Sequence, residues 1–389
     1  MAPPFISLRM LQAAGVGGGF STEISYGTPG TFNSSESSYT SVAVDPNDSN
    51  KFVVAYKDDG NSNYGTVVIG TISGTTISFG SEYIFLSGRA LAVFVDYSPH
   101  VSNQILISYS DSAAGWYGKA IVGTVSGTSV SFGTSYTYQS NSSGGGNHYY
   151  DPHTSGKFAL TSYKVDGWYR SSVWIGSISG TTISFGSPTV AYSDNVSAYN
   201  SKLSFDPNNS GKVALFSGFG SKVYIGTISG SSSSLGAGYT VESGYNFNAN
   251  PEILYDKTPG SNKLVCAWKS GNTNAMKCSL GTVSGTSISF ETPTVFNSSY
   301  ITSGPIKGDM SALTDGRFVL STRGSSSDQL TTIIGHIDGT SIEFGDFHEV
   351  ATSSTLEFAQ PRFNPSDENK IIVGYRSGNY GKAAVMTIS

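Results

Sequence analysis

Apolar and polar residues alternate along this chain in short runs, and the runs return with nearly the same wording. A Gly-Thr-Ile/Val-Ser-Gly anchor begins at Gly70, Gly123, Gly176, Gly226, Gly281 and Gly335, with Ser177, His336 and Asp338 as single-residue variants. Each anchor leads into a two-residue alternation that ends in an aromatic and a glycine, as in Ile77-Ser-Phe79-Gly80 and Ile183-Ser-Phe185-Gly186. The fifth copy loses the glycine at Glu291, and the fourth decays to Ser233-Ser-Leu235-Gly236. Strand-like alternation repeated at about 50 residues predicts a four-stranded antiparallel unit, not helices. In the first copy, strand A is Ser41–Val44, a turn follows at Asp45–Asn50, and strand B is Lys51–Tyr56. Strand C runs from about Tyr64 to Ser73, and strand D is Thr75–Phe79. The A–B turn recurs as Asp151-Pro152, Asp206-Pro207 and Asn364-Pro365, residue pairs that favour turns.

The last copy stops at Thr387-Ile388-Ser389, where its strand D is due, and Glu23-Ile24-Ser25-Tyr26-Gly27 matches Thr76-Ile77-Ser78-Phe79-Gly80. The expectation is an all-β domain over residues 21–389, a seven-bladed β-propeller of four-stranded antiparallel blades. An N-terminal strand at about residues 22–28 completes the C-terminal blade and closes the ring. Residues 1–20 stand apart as an N-terminal segment. In such a ring the A–B and C–D turns share one face. The B–C and D–A loops share the other, and here they vary greatly, as at 57–63, 111–117, 134–147, 165–169 and 190–200. Variable loops on a repeated scaffold are where binding specificity resides. Strand D runs toward the variable face, so residues 1–20 are expected to enter from the uniform face.

Composition adds exclusions. With 47 glycines, 12% aromatic and only 13% charged residues, the surface is neutral and polar. A formal net charge of -5 provides no broad cationic field for nucleic acid. No apolar run approaches the length that spans a bilayer, so membrane insertion is not expected. Pro3, Pro4 and Arg9 interrupt the first twenty residues and argue against a cleaved secretory signal.

The candidate chemistry sits at the end of strand B. Aligning the copies by eye places Tyr56, Tyr109, Tyr163, Phe216, Trp268, Thr322 and Tyr375 at one position, followed by Lys57, Ser110, Lys164, Ser217, Lys269, Arg323 and Arg376. An aromatic-backed ring of Lys57, Lys164, Lys269, Arg323 and Arg376 would stack sugar rings and hold anionic groups. The alternative is that the aromatics pack between blades and the cations cap that packing. Trp116, Tyr117, Trp168 and Tyr169 in the B–C loops extend the binding candidates. Asp58, Asp59, Asp111 and Asp166 read as turn residues ahead of paired catalytic carboxylates. His100, His148, His153, His336 and His348 form no metal-ligand pattern, and neither a nucleophile elbow nor a phosphate-cradling loop occurs. No catalytic residues, metal or cofactor are expected. Cys266 and Cys278 flank one B–C turn, where a disulfide forms only if their Cβ atoms approach closely; otherwise they are two buried thiols.

The wording Tyr64-Gly…Ile-Gly-Thr-Ile-Ser-Gly-Thr-Thr-Ile-Ser-Phe-Gly80 resembles the propeller repeats of virion proteins from tailed phages, especially those of marine bacteria. The opening Phe5-Ile-Ser-Leu-Arg-Met-Leu-Gln-Ala-Ala-Gly15 resembles the short apolar pegs by which phage appendage proteins join the virion. The resemblance implies a non-enzymatic tail-fibre, receptor-binding or capsid-decorating protein at the virion surface. It would dock on other virion proteins through Phe5, Ile6, Leu8, Met10 and Leu11 and present the variable face to a host glycan or receptor. A bacterial propeller lectin or adhesin, secreted or at the cell surface, is the alternative, and a glycan-cleaving propeller is the third reading.

Overall fold

The computed structural model describes residues 23–140, 146–165, 169–192, 201–218, 221–242, 251–271, 273, 275–298, 306–323, 329–352 and 356–389. At 163–165, 169, 170, 192, 323 and 356–359 it describes the backbone alone. The N-terminal segment, with Phe5, Ile6, Leu8, Met10 and Leu11, lies outside the described residues, as does Trp168.

Every regular element among the described residues is a strand. The chain begins with β1 (Ile24–Tyr26) and β2 (Gly30–Asn33). It continues through β3 (Ser37–Asp45), β4 (Asp48–Asp58), β5 (Tyr64–Ser73) and the long β6 (Thr76–Tyr97), then β7 (Gln104–Asp111), β8 (Tyr117–Ser126), β9 (Ser129–Phe132) and β10 (Tyr136–Gln139). Next come β11 (His148–Tyr150), β12 (Lys157–Val165), β13 (Tyr169–Ser179), β14 (Thr182–Phe185) and β15 (Thr189–Tyr192). The following unit is β16 (Ser201–Phe205), β17 (Lys212–Ser217), β18 (Lys222–Ser229) and β19 (Ser232–Thr240). After it stand β20 (Glu252–Tyr255), β21 (Lys263–Lys269), β22 (Met276–Ser284), β23 (Ser287–Phe290) and β24 (Thr294–Asn297). The chain ends with β25 (Lys307–Met310), β26 (Arg317–Arg323), β27 (Gln329–Asp338) and β28 (Ser341–Thr352), then β29 (Leu356–Asn364), β30 (Asp367–Ser377) and β31 (Tyr380–Ile388).

The fold is an all-β propeller. Among the described residues the strands pair into six antiparallel sheets, of four, five or eight strands, and not into separate four-stranded blades of one size. The eight-stranded sheet arises because β6 is continuous: its first half pairs with β5 and its second half, Ala90–Tyr97, pairs with β7. The five-stranded sheets arise where the outer strand breaks in two, so that β14 and β15 both pair with β13, β23 and β24 with β22, and β1 and β2 with β31. The expected closure is present in register. Ile24, Ser25 and Tyr26 pair with Ile388, Thr387 and Met386, and Gly30 pairs with Ala383. The core is divided into apolar clusters lying between consecutive units. One of them joins the last unit to the first, packing Ile372, Ala383 and Val385 against Val42, Phe52 and Val68.

The repeated anchor has a packing cause. Its first glycine lies opposite the first apolar residue of strand B, as in Phe52↔Gly70, Phe158↔Gly176 and Phe318↔Gly335. The ring of that phenylalanine lies flat across the glycine, so an added Cβ would stand 2.1 to 2.2 Å from Phe52, Phe158 or Phe318. Its second glycine, Gly74, Gly127, Gly180, Gly230, Gly285 or Gly339, takes φ of 57 to 63° at the first central position of a two-residue turn, where a side chain is disfavoured.

Consecutive units are also tied by polar side chains on the uniform face. The first residue of strand B reaches the turn glycine of the next unit: Gln104 donates to Gly180 O (3.0 Å), Lys157 to Gly230 O (2.6 Å), Lys212 to Gly285 O (3.3 Å) and Lys263 to Gly339 O. Two of the five histidines serve the same end, with His100 Nε2 on Asp151 O and His153 Nε2 on Asp206 O, each at 3.0 Å.

Gly176→Ala is expected to lower unfolding stability by about 1–3 kcal/mol, because the methyl must displace the Phe158 ring. Pairing it with Phe158→Leu is expected to recover part of that loss in denaturant titrations.

Candidate functional site: the variable face and the channel

Register against the anchor glycines corrects the alignment of strand B. Counting four residues on from the glycine partner gives Tyr56, Tyr109, Ser162, Ser217, Trp268, Thr322 and, from the β30–β31 register, Tyr375. Tyr163 and Phe216 therefore lie one residue out of phase with that position, which puts Phe216 on the opposite face of its strand, while the side chain of Tyr163 is not among those described. Lys164 falls beyond the position held by Lys57, Lys269, Arg323 and Arg376. The side chains of Lys164, Tyr169 and Arg323 are not among those described.

The aromatics at this position are core residues. Tyr56, Tyr109, Trp268 and Tyr375 are all buried, and their polar tips find partners: Tyr56 Oη donates to Glu82 at 2.7 Å and Trp268 Nε1 to Glu242 at 2.9 Å. The cations beside them are neutralised. Lys57 is buried, 2.6 Å from Asp59 and over the Tyr39 ring, and Arg376 Nη2 is 2.7 Å from Glu36. Lys119 meets Asp111 at 2.8 Å and Lys277 meets Glu242 at 2.6 Å on the same face. Lys269 is half-buried and also engaged. Burial opposes ionisation of Glu242, but hydrogen bonds from Lys277, Trp268 and Ser270 hold its carboxyl below the ordinary value.

The candidate carboxylates of the B–C loops shape turns. Asp58 Oδ1 accepts from Gly60 N and Asn61 N, and Asp111 Oδ1 accepts from Ala113 N and Ala114 N. Cys266 and Cys278 are free and buried, and no disulfide joins them. Cys266 pairs with Ser279 while Cys278 pairs with Ala267, so the two thiols leave opposite faces of the sheet and pack in different apolar clusters. Burial raises both thiols above their ordinary value. No group of metal-ligating side chains occurs among the described residues.

What the variable face does expose is aromatic. Tyr39, Trp116 and Tyr380 are 45%, 43% and 48% exposed. Tyr117, also expected there, is half-buried at the start of β8. Trp116 is held at φ 66° after Gly115 at 83°, and the corresponding turn between β4 and β5 uses Ser62 and Asn63 at 56° and 63°. Asparagine takes that left-handed conformation readily, whereas a bulky ring does not. Tyr39, at φ 55°, sits in the bulge where β3 slips against β4 between Ser38 and Ser41.

A second polar constellation, which no sequence motif announced, lies on the ring axis. The innermost strands show a period of two: Asp96, Tyr149, Ser204, Leu254, Asp309 and Arg362 are partly exposed, with buried neighbours on each side. Two residues nearer the variable face, Lys202, Glu252 and Lys307 occupy one register, opposite Phe216, Ala267 and Ser321. Lys202 and Glu252 are almost fully buried. Burial pulls the Lys202 and Lys307 amines below their ordinary range, with Glu252 working in the other direction and Arg362 adding to the depression. Arg362 stands over the Phe94 ring at 6.0 Å and interacts electrostatically with Asp96, His148, Lys202 and Lys307. Burial, with Arg362 second, takes the His148 imidazole down to about 3, and burial takes the Asp96 carboxyl up to about 6 against the pull of Arg362.

No family model matches this sequence, and neither does any curated protein. Solved structures do match, at the level of fold. The BP39L lectin from Burkholderia pseudomallei superposes with a TM-score of 0.65 at 9% identity, covering 91% of this chain and 97% of the lectin. Sqt1 from Chaetomium thermophilum gives 0.58 at 9% identity over 94% of this chain and 99% of its own. The periplasmic gluconolactonase of Pseudomonas aeruginosa gives 0.57 at 10% identity over 80% of this chain and 88% of its own. At these identities the likeness is one of architecture.

The native Asp96 carboxyl, at about 6, binds its proton more tightly than the ordinary value of 3.8. Its contribution to stability is therefore full below about pH 4 and is lost as pH rises through 6. Asp96→Asn keeps an Oδ1 acceptor for Tyr97 N and carries no charge. It is expected to match the parent near pH 4 and to exceed it at pH 7 by roughly 1–3 kcal/mol in urea unfolding.

Proposed function

We propose that this chain is a non-catalytic binding propeller that takes carbohydrate on its variable-loop face. The observation that carries this reading is Trp116: a large ring, 43% exposed, held in a backbone conformation that its own turn would assign to asparagine or glycine. Strain of that kind persists where the surroundings or a function require the side chain. Exposed rings backed by ion-paired polar groups suit the flat apolar faces and hydroxyl edges of sugars. The fold of a bacterial lectin at a TM-score of 0.65 is in keeping with this use of the scaffold. In this reading the ring has seven blades, the eight-stranded sheet counting as two joined through β6.

Residues 1–20 are the docking segment in this proposal, attached to other proteins of a virion surface. The register of β1 supports the direction, since Ile24 pairs with Ile388 at the end of β31, which puts the start of β1 on the uniform face. Gluconolactonases share the architecture, and a catalytic reading would require turnover.

Trp116→Asn suits the turn geometry, so the variant is expected to keep its thermal stability while losing about tenfold or more in affinity for immobilised bacterial surface polysaccharide. Unchanged binding by Trp116→Asn, or sustained hydrolysis of glycan or lactone by the purified protein, would overturn the proposal. Deletion of residues 2–20 is expected to leave polysaccharide binding intact and to abolish incorporation into particles.

A further inference from the structure

The ion pairs of this molecule are distributed against expectation. On the solvated variable face, where water would stabilise a lone cation, Lys57, Lys119, Lys277 and Arg376 each face a carboxylate within 2.6 to 2.8 Å. In the channel, where desolvation is severe, no ion pair among the described residues involves Lys202, Lys307 or Arg362. A buried cation is costly unless it is paired.

The one carboxylate at the level of the two lysines is already committed. Glu252 Oε1 accepts from Ile253 N at 3.2 Å and Oε2 from Gly308 N at 3.1 Å, which ties it to the backbone of β20 and β25. Asp309, deeper in the channel, is bound in the same way by Met310 N and Phe363 N, both at 2.9 Å, with Lys257 3.8 Å away. Arg362 Nη1 is turned to the carbonyls of Gly308 and Pro361 at 3.2 and 3.5 Å. The result is a polar axis in which Lys202 and Lys307 share their level with Glu252 alone, while Arg362 stands two residues deeper at the level of Asp96 and Asp309. The two amines stand at one level of the axis with no ion pair to either among the described residues, and nothing in their strands requires lysine there: the same register position is filled by Ser41 and Gln360 elsewhere in the ring.

We propose that the variable-face end of the central channel is a binding site for a single oxyanion group, a carboxylate or a phosphate, held between the side chains of Lys202 and Lys307 and faced by the Arg362 guanidinium. An anion inserted between the amines accepts a charge-assisted hydrogen bond from each and favours the charged form of both. Because the site lies on the axis, a ligand reaching it would pass the loops of every unit. The proposal stands on the channel residues alone and does not depend on carbohydrate being bound at Trp116.

The test is thermal unfolding of the full chain in sodium chloride, sodium acetate and sodium phosphate at matched ionic strength. Acetate or phosphate is expected to raise Tm with a saturating concentration dependence and a plateau of about 2 °C or more, while chloride is not. The anion with the lower saturation midpoint identifies the preferred chemistry. Lys307→Met is expected to melt at or above the parent in chloride and to lose the anion-dependent rise; Lys202→Met carries the same readout. Equal behaviour of the parent in all three salts overturns the proposal, and so does an undiminished rise in both variants. Failure of both variants to fold also overturns it, because it would show that the amines hold the ring together in the absence of any anion.

Discussion

The unpaired edge of the innermost strands is the constraint on which this ring depends. Each inner strand is hydrogen-bonded on one side only, and its other side points to the axis, where its N–H groups need acceptors. The acceptors come from side chains of the preceding unit. Val95 N donates to Ser41 Oγ at 3.1 Å, Tyr255 N to Ser204 Oγ at 3.1 Å, Gly308 N to Glu252 and Phe363 N to Asp309. Val42 N donates to Gln360 Oε1 at 3.3 Å, which carries the same device from the last unit to the first. Polar residues in the channel are therefore obligatory, and the charged ones among them serve structure and chemistry together. Glu252 and Asp309 stay on station because the backbone of a neighbouring strand holds them.

This explains which parts of the molecule were readable beforehand. The repeat, its turns and the closing strand were legible because their chemistry is local: a glycine under Phe52 or Phe158, a positive φ at Gly74 or Gly180, an aspartate before a turn. The pairing of Ile24 with Ile388 followed from the same wording at both ends of the chain. The size of the sheets was not legible, because nothing in the alternation of Thr76–Tyr97 marks where one unit hands over to the next. The strand B alignment failed at Tyr163 and Phe216 because it was anchored on aromatic character, and only the glycine register shows the one-residue shift.

The channel escaped notice for a different reason. Each inner strand gives the axis only one or two of these residues, so the cluster is assembled from positions about 50 residues apart. A signal was present: Lys202, Glu252 and Lys307 each stand four residues before the A–B turn residue, Asp206, Asp256 or Ser311. Three charged side chains at one position of a strand that should be apolar mark a polar axis. The ring of strand B cations drew attention first, yet those that are described sit beside carboxylates or other partners and stabilise loop geometry.

The seam between β1 and β31 also has a temporal side. Ser389 Oγ donates to the Glu23 carbonyl across 366 residues of chain, so the seam is a non-local contact of the kind that slows folding. Until it forms, the outer edge of β31 is a free template for any passing strand, including the same segment of another molecule. Once formed, it has the opposite effect. Opening the ring there removes a strand pairing and an apolar cluster in a single event, which puts a high barrier in front of unfolding. A ring closed in this way ties resistance to unfolding to the rate at which one seam parts, a property separate from equilibrium stability.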